Sequence, residues 1–133
     1  MDLSKNDLIV IDGIKKYSKV FIEEMGGFYP FAIALQMNKQ IISIAASDGN
    51  EYTDAQCLID LLKKSIPQDI GKKKYLMAAI CIDIFVKELI DNVEMRKNAI
   101  EIHLIYNACQ KKILLFYEVE NKTAIFREMV GWN

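Results

Sequence analysis

The stretch GGFYPFAIALQMNKQIISIAAS, residues 26–47, constrains the fold more than any other part of the chain. It reads as two strands joined by a short polar turn and entered through a Gly-Gly break. Tyr29, Phe31, Ile33 and Leu35 point one way, and Phe28, Pro30, Ala32 and Ala34 the other, with the two-residue period of a strand. Pro30 lacks an N–H for a ladder, so it marks an edge or the start of pairing. The alanines leave room for a helix to approach. Asn38-Lys39 makes the turn, because asparagine tolerates positive φ. The second strand, residues 40–47, sets Ile42 and Ile44 on one face and Ile41, Ser43 and Ala45 on the other.

Helical periods flank this hairpin. Before it, Ser4 is placed to cap a helix over residues 6–25, with Asp7 completing a capping box. Val10, Ile14, Tyr17, Phe21 and Met25 form its apolar stripe. Gly13 inside that helix costs about 1 kcal/mol relative to alanine and marks a break or a close contact. After the hairpin, Ser47-Asp48-Gly49-Asn50 signals a turn. Thr53 then caps a second helix with Gln56 at the capping-box position. Cys57, Leu58, Leu61, Leu62 and Ile66 form its stripe, and Pro67 and Gly71 limit its extent.

Three further strands follow. Residues 75–87 alternate through Leu76, Ala78, Ile80, Ile82, Ile84 and Val86; residues 98–106 through Ile100, Ile102, Leu104 and Tyr106; residues 111–120 through Ile113, Leu115, Tyr117 and Val119. Residues 88–97 are polar and are expected to loop out. Residues 123–131 read as a short helix or a last strand, with helix preferred. The predicted fold is a single α+β domain over residues 1–133: a five-stranded, mainly antiparallel sheet with helices packed on it, in the order α-β-β-α-β-β-β. That order is profilin-like or roadblock-like, which carries no function by itself.

The motif Gly26-Gly27-Phe28-Tyr29-Pro30-Phe31, followed by a hairpin and a helix with Asp54-Ala55 near its start, resembles a family of small uncharacterised bacterial proteins. That family's pattern is an initial helix, then E-F-Y-P-F-G, a polar turn and a later D-A-I strand. Asn98-Ala99-Ile100 sits where D-A-I would fall. Gly27 replaces the acid, Ala32 the glycine, and a closing Pro-Tyr is missing, so residues 121–133 depart from the pattern. The resemblance covers about residues 14–119, rests on one short motif, and implies the architecture without an activity.

Charge and cysteine content narrow the function classes. The 18 acids and 17 bases nearly cancel, so no nucleic-acid partner is expected. The one basic run, Lys72-Lys73-Lys74, reads as a solvated loop. No apolar run is long enough to span a bilayer, and the opening residues carry no basic region, so neither a membrane partner nor a secretory signal is expected. Cys57, Cys81 and Cys109 are odd in number, widely spaced and set among apolar residues. They read as reduced small hydrophobes in a cytoplasmic protein.

No phosphate loop, nucleophile elbow or zinc-protease pattern occurs, and no cofactor or metal is implied. Asp83, Glu101, His103 and Glu118 alternate onto the face of the last strands opposite the core. Two carboxylates beside an imidazole can bind a metal or a small ligand or move protons; solvated cross-strand charge pairs are the plainer account. Tyr75, Met77, Cys81, Phe85, Ile105, Leu114 and Phe116 share that face. A sheet apolar on both faces needs cover on both. A second helix can supply it, or another chain can meet Tyr75, Met77, Phe85, Ile105, Leu114 and Phe116. Phe28, Tyr29 and Phe31 read as core and strand edge, and Trp132 as a dock for the tail. The expected function is therefore non-enzymatic: a protein-binding or self-associating domain of adaptor or immunity type, as a homodimer or with a protein partner.

Overall fold

The computed structural model describes residues 2–45, 54–107 and 109–131. Its elements are α1 (Lys5–Met25), β1 (Phe31–Gln36), β2 (Ile41–Ala45), α2 (Ala55–Gly71), β3 (Tyr75–Ile90), β4 (Val93–Ile105), β5 (Gln110–Glu120) and β6 (Thr123–Gly131). The strands form one sheet in the order β2-β1-β3-β4-β5-β6, with every neighbouring pair antiparallel. The expected α+β class holds, but the sheet has six strands and curls into a half-barrel.

The curl follows from what α1 touches. A flat sheet of six strands is about 24 Å wide, whereas a helix is about 10 Å across. Yet a Cβ on Gly13 would run into Ile41 of β2, while Lys19 and Glu23 bond Ala124 of β6. Both sheet edges therefore bend toward the same helix. Near its start, buried Asp7 closes the capping box with Ser4 and binds Lys111 of β5 at 3.1 Å. The buried side of α1 is Val10, Ile11, Gly13, Ile14, Ser18 and Ile22. Tyr17 and Met25, expected inside, are exposed. The stripe is rotated because Gly13, lacking a side chain, is the point of closest approach to β2.

Alternation along the strands divides the core in two. On the concave side α1 packs on Phe31, Ile33, Leu35, Met77, Ala79, Cys81, Ile100, Ile102, Leu104, Ile113, Leu115 and Tyr117. On the convex side Leu58, Ile59, Leu62, Ile66 and Ile70 of α2 cover Ala32, Ala34, Ala78, Ile80 and Ile82. The small alanines let α2 come close, as their spacing predicts. Each large side chain buried here contributes about 2 kcal/mol. The N-cap of α2 is Asp54, whose Oδ1 accepts the Cys57 N–H at 2.9 Å. The helix continues through Pro67. Cys57 and Leu61 are exposed, so this stripe too is rotated from expectation. The predicted turn at residues 47–50, the Thr53 cap and Trp132 lie outside the described residues.

Two segments differ in kind from their sequence reading. Residues 88–97 do not loop out: β3 and β4 run on into a ribbon that turns at Asp91-Asn92, with φ of 52° and 64°. Residues 123–131 form β6 and not a helix, after a turn at Asn121-Lys122 with φ of 51° and 64°. Paired positive φ values make two-residue turns whose twist matches that of antiparallel strands. The charges that suggested a loop pair across the ribbon, Lys87 with Glu94 and Lys97 with Glu88, each at 3.2 Å.

Candidate functional site

The four polar residues picked from sequence do not form one cluster. Asp83 pairs opposite Ile100 and lies on the concave side, whereas Glu101, His103 and Glu118 lie on the convex side. Glu118 is four residues along β5 from Leu114, the partner of Glu101, hence about 13 Å away. Only Glu101 and His103 meet: His103 Nε2 is 3.4 Å from Glu101 Oε1. Gln110 Nε2 lies 3.1 Å from His103 Nδ1. With the amide donating, Nδ1 accepts and the ring proton sits on Nε2, facing Glu101. Burial holds the His103 pKa below its ordinary value; Glu101 pulls it up, and Lys63 and Lys112 push it down. The ring is 2% exposed, so it offers no open face to a substrate. Glu118 is engaged elsewhere, with Arg127 Nη2 at 2.9 Å. Among the described residues no three His, Cys, Asp or Glu side chains gather as a metal-binding group.

Asp83 is part of a different arrangement. Tyr117 Oη donates to its Oδ1 at 2.6 Å, and the Phe28 N–H donates to the same carboxylate. A Cβ on Gly27 would stand 2.7 Å from Asp83 Oδ2. Asp83 thus ties the α1–β1 connection to β3 and β5, which accounts for Gly27 in the Gly26–Phe31 motif. Burial raises the Asp83 pKa, while the Tyr117 hydroxyl and Phe28 amide pull it down. The Tyr117 hydroxyl is raised, first by burial and then by the carboxylate it serves. Phe21, Phe28 and Phe31 pack edge-on or tilted around this corner, with centroids 5.1–6.1 Å apart. Phe31 is buried and Phe28 packs partly buried against the core, but Tyr29, expected with them, is 72% exposed.

The apolar residues expected to share one face are also divided. Tyr75 and Ile105 are buried on the convex side, Met77 is buried on the concave side, and Phe85 is exposed on the concave side. Leu114 and Phe116 lie partly exposed on the convex side of β5. There α2 does not reach: among the described residues its packing stops at β1 and β3 and their neighbours Ile42, Ile44 and Ile105.

The larger exposed surface is the ribbon, which sequence reasoning missed. Beyond Phe85↔Asn98, among the described residues β3 and β4 pair only with each other. Phe85, Leu89, Ile90, Val93 and Met95 are 47–77% exposed there. Phe85 and Leu89 face the concave side, and Ile90, Val93 and Met95 the convex side, with Arg96 stacked 3.9 Å over the Phe85 ring. Pairing of β4 with β5 ends at Asn98↔Tyr117, although β4 starts at Val93 and β5 runs to Glu120. The two hairpins therefore splay apart. β6 carries an extra residue opposite Phe116, so that Arg127 and Glu128 both face one position of β5. A groove of about 560 Å³ lies between the hairpins, lined by Arg96, Lys97, Phe116, Glu118, Arg127 and Glu128. The chain matches no protein-family model, no curated protein and no solved structure.

Proposed function

We propose that this chain acts by binding another protein chain through the outer part of its sheet, made of the β3–β4 ribbon and the half-covered convex face of β4 to β6. The observation that carries the reading is the ribbon. An isolated two-stranded hairpin is marginal in water. This one holds five large apolar side chains outside the body, a concentration that fits an interaction surface. Two ion pairs cross its strands and its acids and bases balance, so the surface is apolar without net charge, which suits a protein partner better than a polyanion. On this reading the chain is a small cytoplasmic adaptor or immunity-type domain; the resemblance of its Gly26–Phe31 motif bears on bacterial kind and architecture and carries no activity.

The test is the double variant Leu89→Lys/Val93→Lys. Both side chains are more than half exposed, so the fold should persist, which circular dichroism checks. Sedimentation gives the mass of wild type and variant, and affinity capture from the native cytoplasm compares what each retains. The expected result is an assembly or a retained protein that is present with wild type and lost with the variant. Equal behaviour of the two in both measurements would refute the reading.

A further inference from the structure

We propose that the free edge of β4, residues 93–97, pairs antiparallel with the same segment of a second copy, joining two sheets through a four-stranded ribbon. This rests on the reading of the ribbon as an association surface and names the partner. The turn at Asp91-Asn92 makes Ile90 and Val93 its flanking hydrogen-bonded pair. Hydrogen-bonded and non-hydrogen-bonded pairs alternate along an antiparallel ladder. Val93, Met95 and Lys97 therefore turn their backbone groups toward β3. Glu94, Arg96 and Asn98 turn theirs away from it. Asn98 meets Tyr117, the point at which β5 pairing begins. Glu94 and Arg96 are left with N–H and C=O groups aimed outward, with no backbone partner among the described residues.

A second copy can bond this edge only by placing outward residues opposite outward residues. Three registers do so. One sets Glu94 against the partner's Glu94, and one sets Arg96 against the partner's Arg96; both place like charges face to face, which is destabilising. The third sets Glu94 against the partner's Arg96 and, by symmetry, Arg96 against the partner's Glu94. Met95 then lies on the two-fold axis against its own copy. This register keeps each face matched: opposite charges meet on the concave side, and on the convex side Met95 meets Met95 while Val93 meets the stem of the partner's Lys97. It satisfies the outward N–H and C=O groups of both residues on both copies, and it covers Val93 and Met95, which are 58% and 47% exposed. An isologous contact of this kind closes as a dimer.

The outer strands are less available. At β6 the Ala124 N–H bonds Glu23 Oε2 at 3.1 Å and the Ala124 C=O accepts Lys19 Nζ at 3.3 Å. An ion pair on α1 thus occupies the place of a neighbouring strand. β2 is only five residues long.

Charge reversal tests the register. Glu94→Arg alone and Arg96→Glu alone each put like charges opposite one another twice, and each should weaken self-association roughly tenfold or more. An equimolar mixture of the two variants restores both opposite-charge pairs, as does Glu94→Arg/Arg96→Glu in one chain. Sedimentation from micromolar to several hundred micromolar reads the outcome. A wild-type dimer, two monomeric single variants and recovery in the mixture would support the proposal; recovery also shows that the single variants are folded. A wild type monomeric throughout would overturn self-pairing and leave the association reading to the capture experiment. A wild-type dimer unaffected by either reversal would overturn this register while leaving self-association standing.

Discussion

Replacing Tyr117 by phenylalanine removes one hydroxyl and leaves the ring in place. That hydroxyl donates to Asp83 Oδ1 at 2.6 Å, and among the described residues the Phe28 amide is the second donor to Asp83. Hydrogen bonds to charged groups contribute about 1.5–3 kcal/mol, and Asp83 is only part-buried, so the expected cost at pH 7 is about 2 kcal/mol. In acid the carboxyl is neutral and the same bond contributes about 1 kcal/mol. Burial raises the folded-state pKa of Asp83 above its unfolded value. Asp83 therefore favours folding at acid pH, and that contribution is lost as pH rises through the folded pKa. Without the hydroxyl the folded pKa rises further and the loss deepens. Urea unfolding followed by circular dichroism at about pH 4 and pH 7 measures both arms, because the remaining carboxylates cancel in the difference between variant and wild type. A deficit near 2 kcal/mol at neutral pH that shrinks by about half in acid is expected. In an Asp83→Ala background Tyr117→Phe should cost far less. A deficit below about 0.5 kcal/mol, or one that is the same at both pH values, would refute the argument that Asp83 holds this corner.

Two more outcomes follow from the same contacts. Gly27→Ala places a methyl group 2.7 Å from Asp83 Oδ2; because that carboxylate is held by two donors it cannot swing aside freely, so the expected loss is about 1–2 kcal/mol, and it should largely disappear when Asp83 is alanine. Glu23→Ala uncaps the edge of β6, so the Ala124 amide should exchange with solvent faster by NMR, while the amides of β4 in the sheet centre are unchanged; since Lys19 and the Ala124 N–H hold the Glu23 pKa below its ordinary value, protection in wild type should fall as pH drops through that lowered pKa.

Local chemistry made the start of α1 and the first hairpin legible, while the α2 cap, expected at Thr53, is Asp54. Ser4 and Asp7 are three residues apart and complete the α1 cap without help from the rest of the chain. Which side of α1 faces inward was not local: Tyr17 and Ile11 both fit a helical stripe, and the contact of Gly13 with Ile41 decides between them. The ribbon was hidden because its charges look like a loop until Lys87 and Glu88 find Glu94 and Lys97 on the facing strand. Its turn lacks the glycine that usually marks such hairpins. That one omission also misplaced the site. A two-residue turn at 91–92 fixes the register so that odd residues of β3 face even residues of β4. Asp83 must then oppose Ile100 and cannot join Glu101 and His103, and Met77 and Phe85 must part from Ile105. Locating the turn from sequence would have separated Asp83 from Glu101 and His103, and Met77 and Phe85 from Ile105; Tyr75 changes side through the irregularity opposite Leu35 and Gln36.

A sheet apolar on both faces is completed here in two unlike ways. On the concave side curvature does the work: large side chains from the sheet close around one helix, and the Lys19–Glu23 pair seals the outer edge against it. On the convex side the curvature spreads the strands away from any single cover. α2, seated on alanines, covers β1 and β3 and reaches β4 at Ile105. The β4–β6 part is left with Leu114 and Phe116 partly exposed beside ion pairs, and it continues into a ribbon whose apolar side chains are 47–77% exposed. Hence, among the described residues, β4, buried at the sheet centre, carries an open backbone edge at its Val93–Lys97 end, as β3 does beyond Cys81. An association that uses Glu94 and Arg96 would complete the strand that the fold itself leaves half paired.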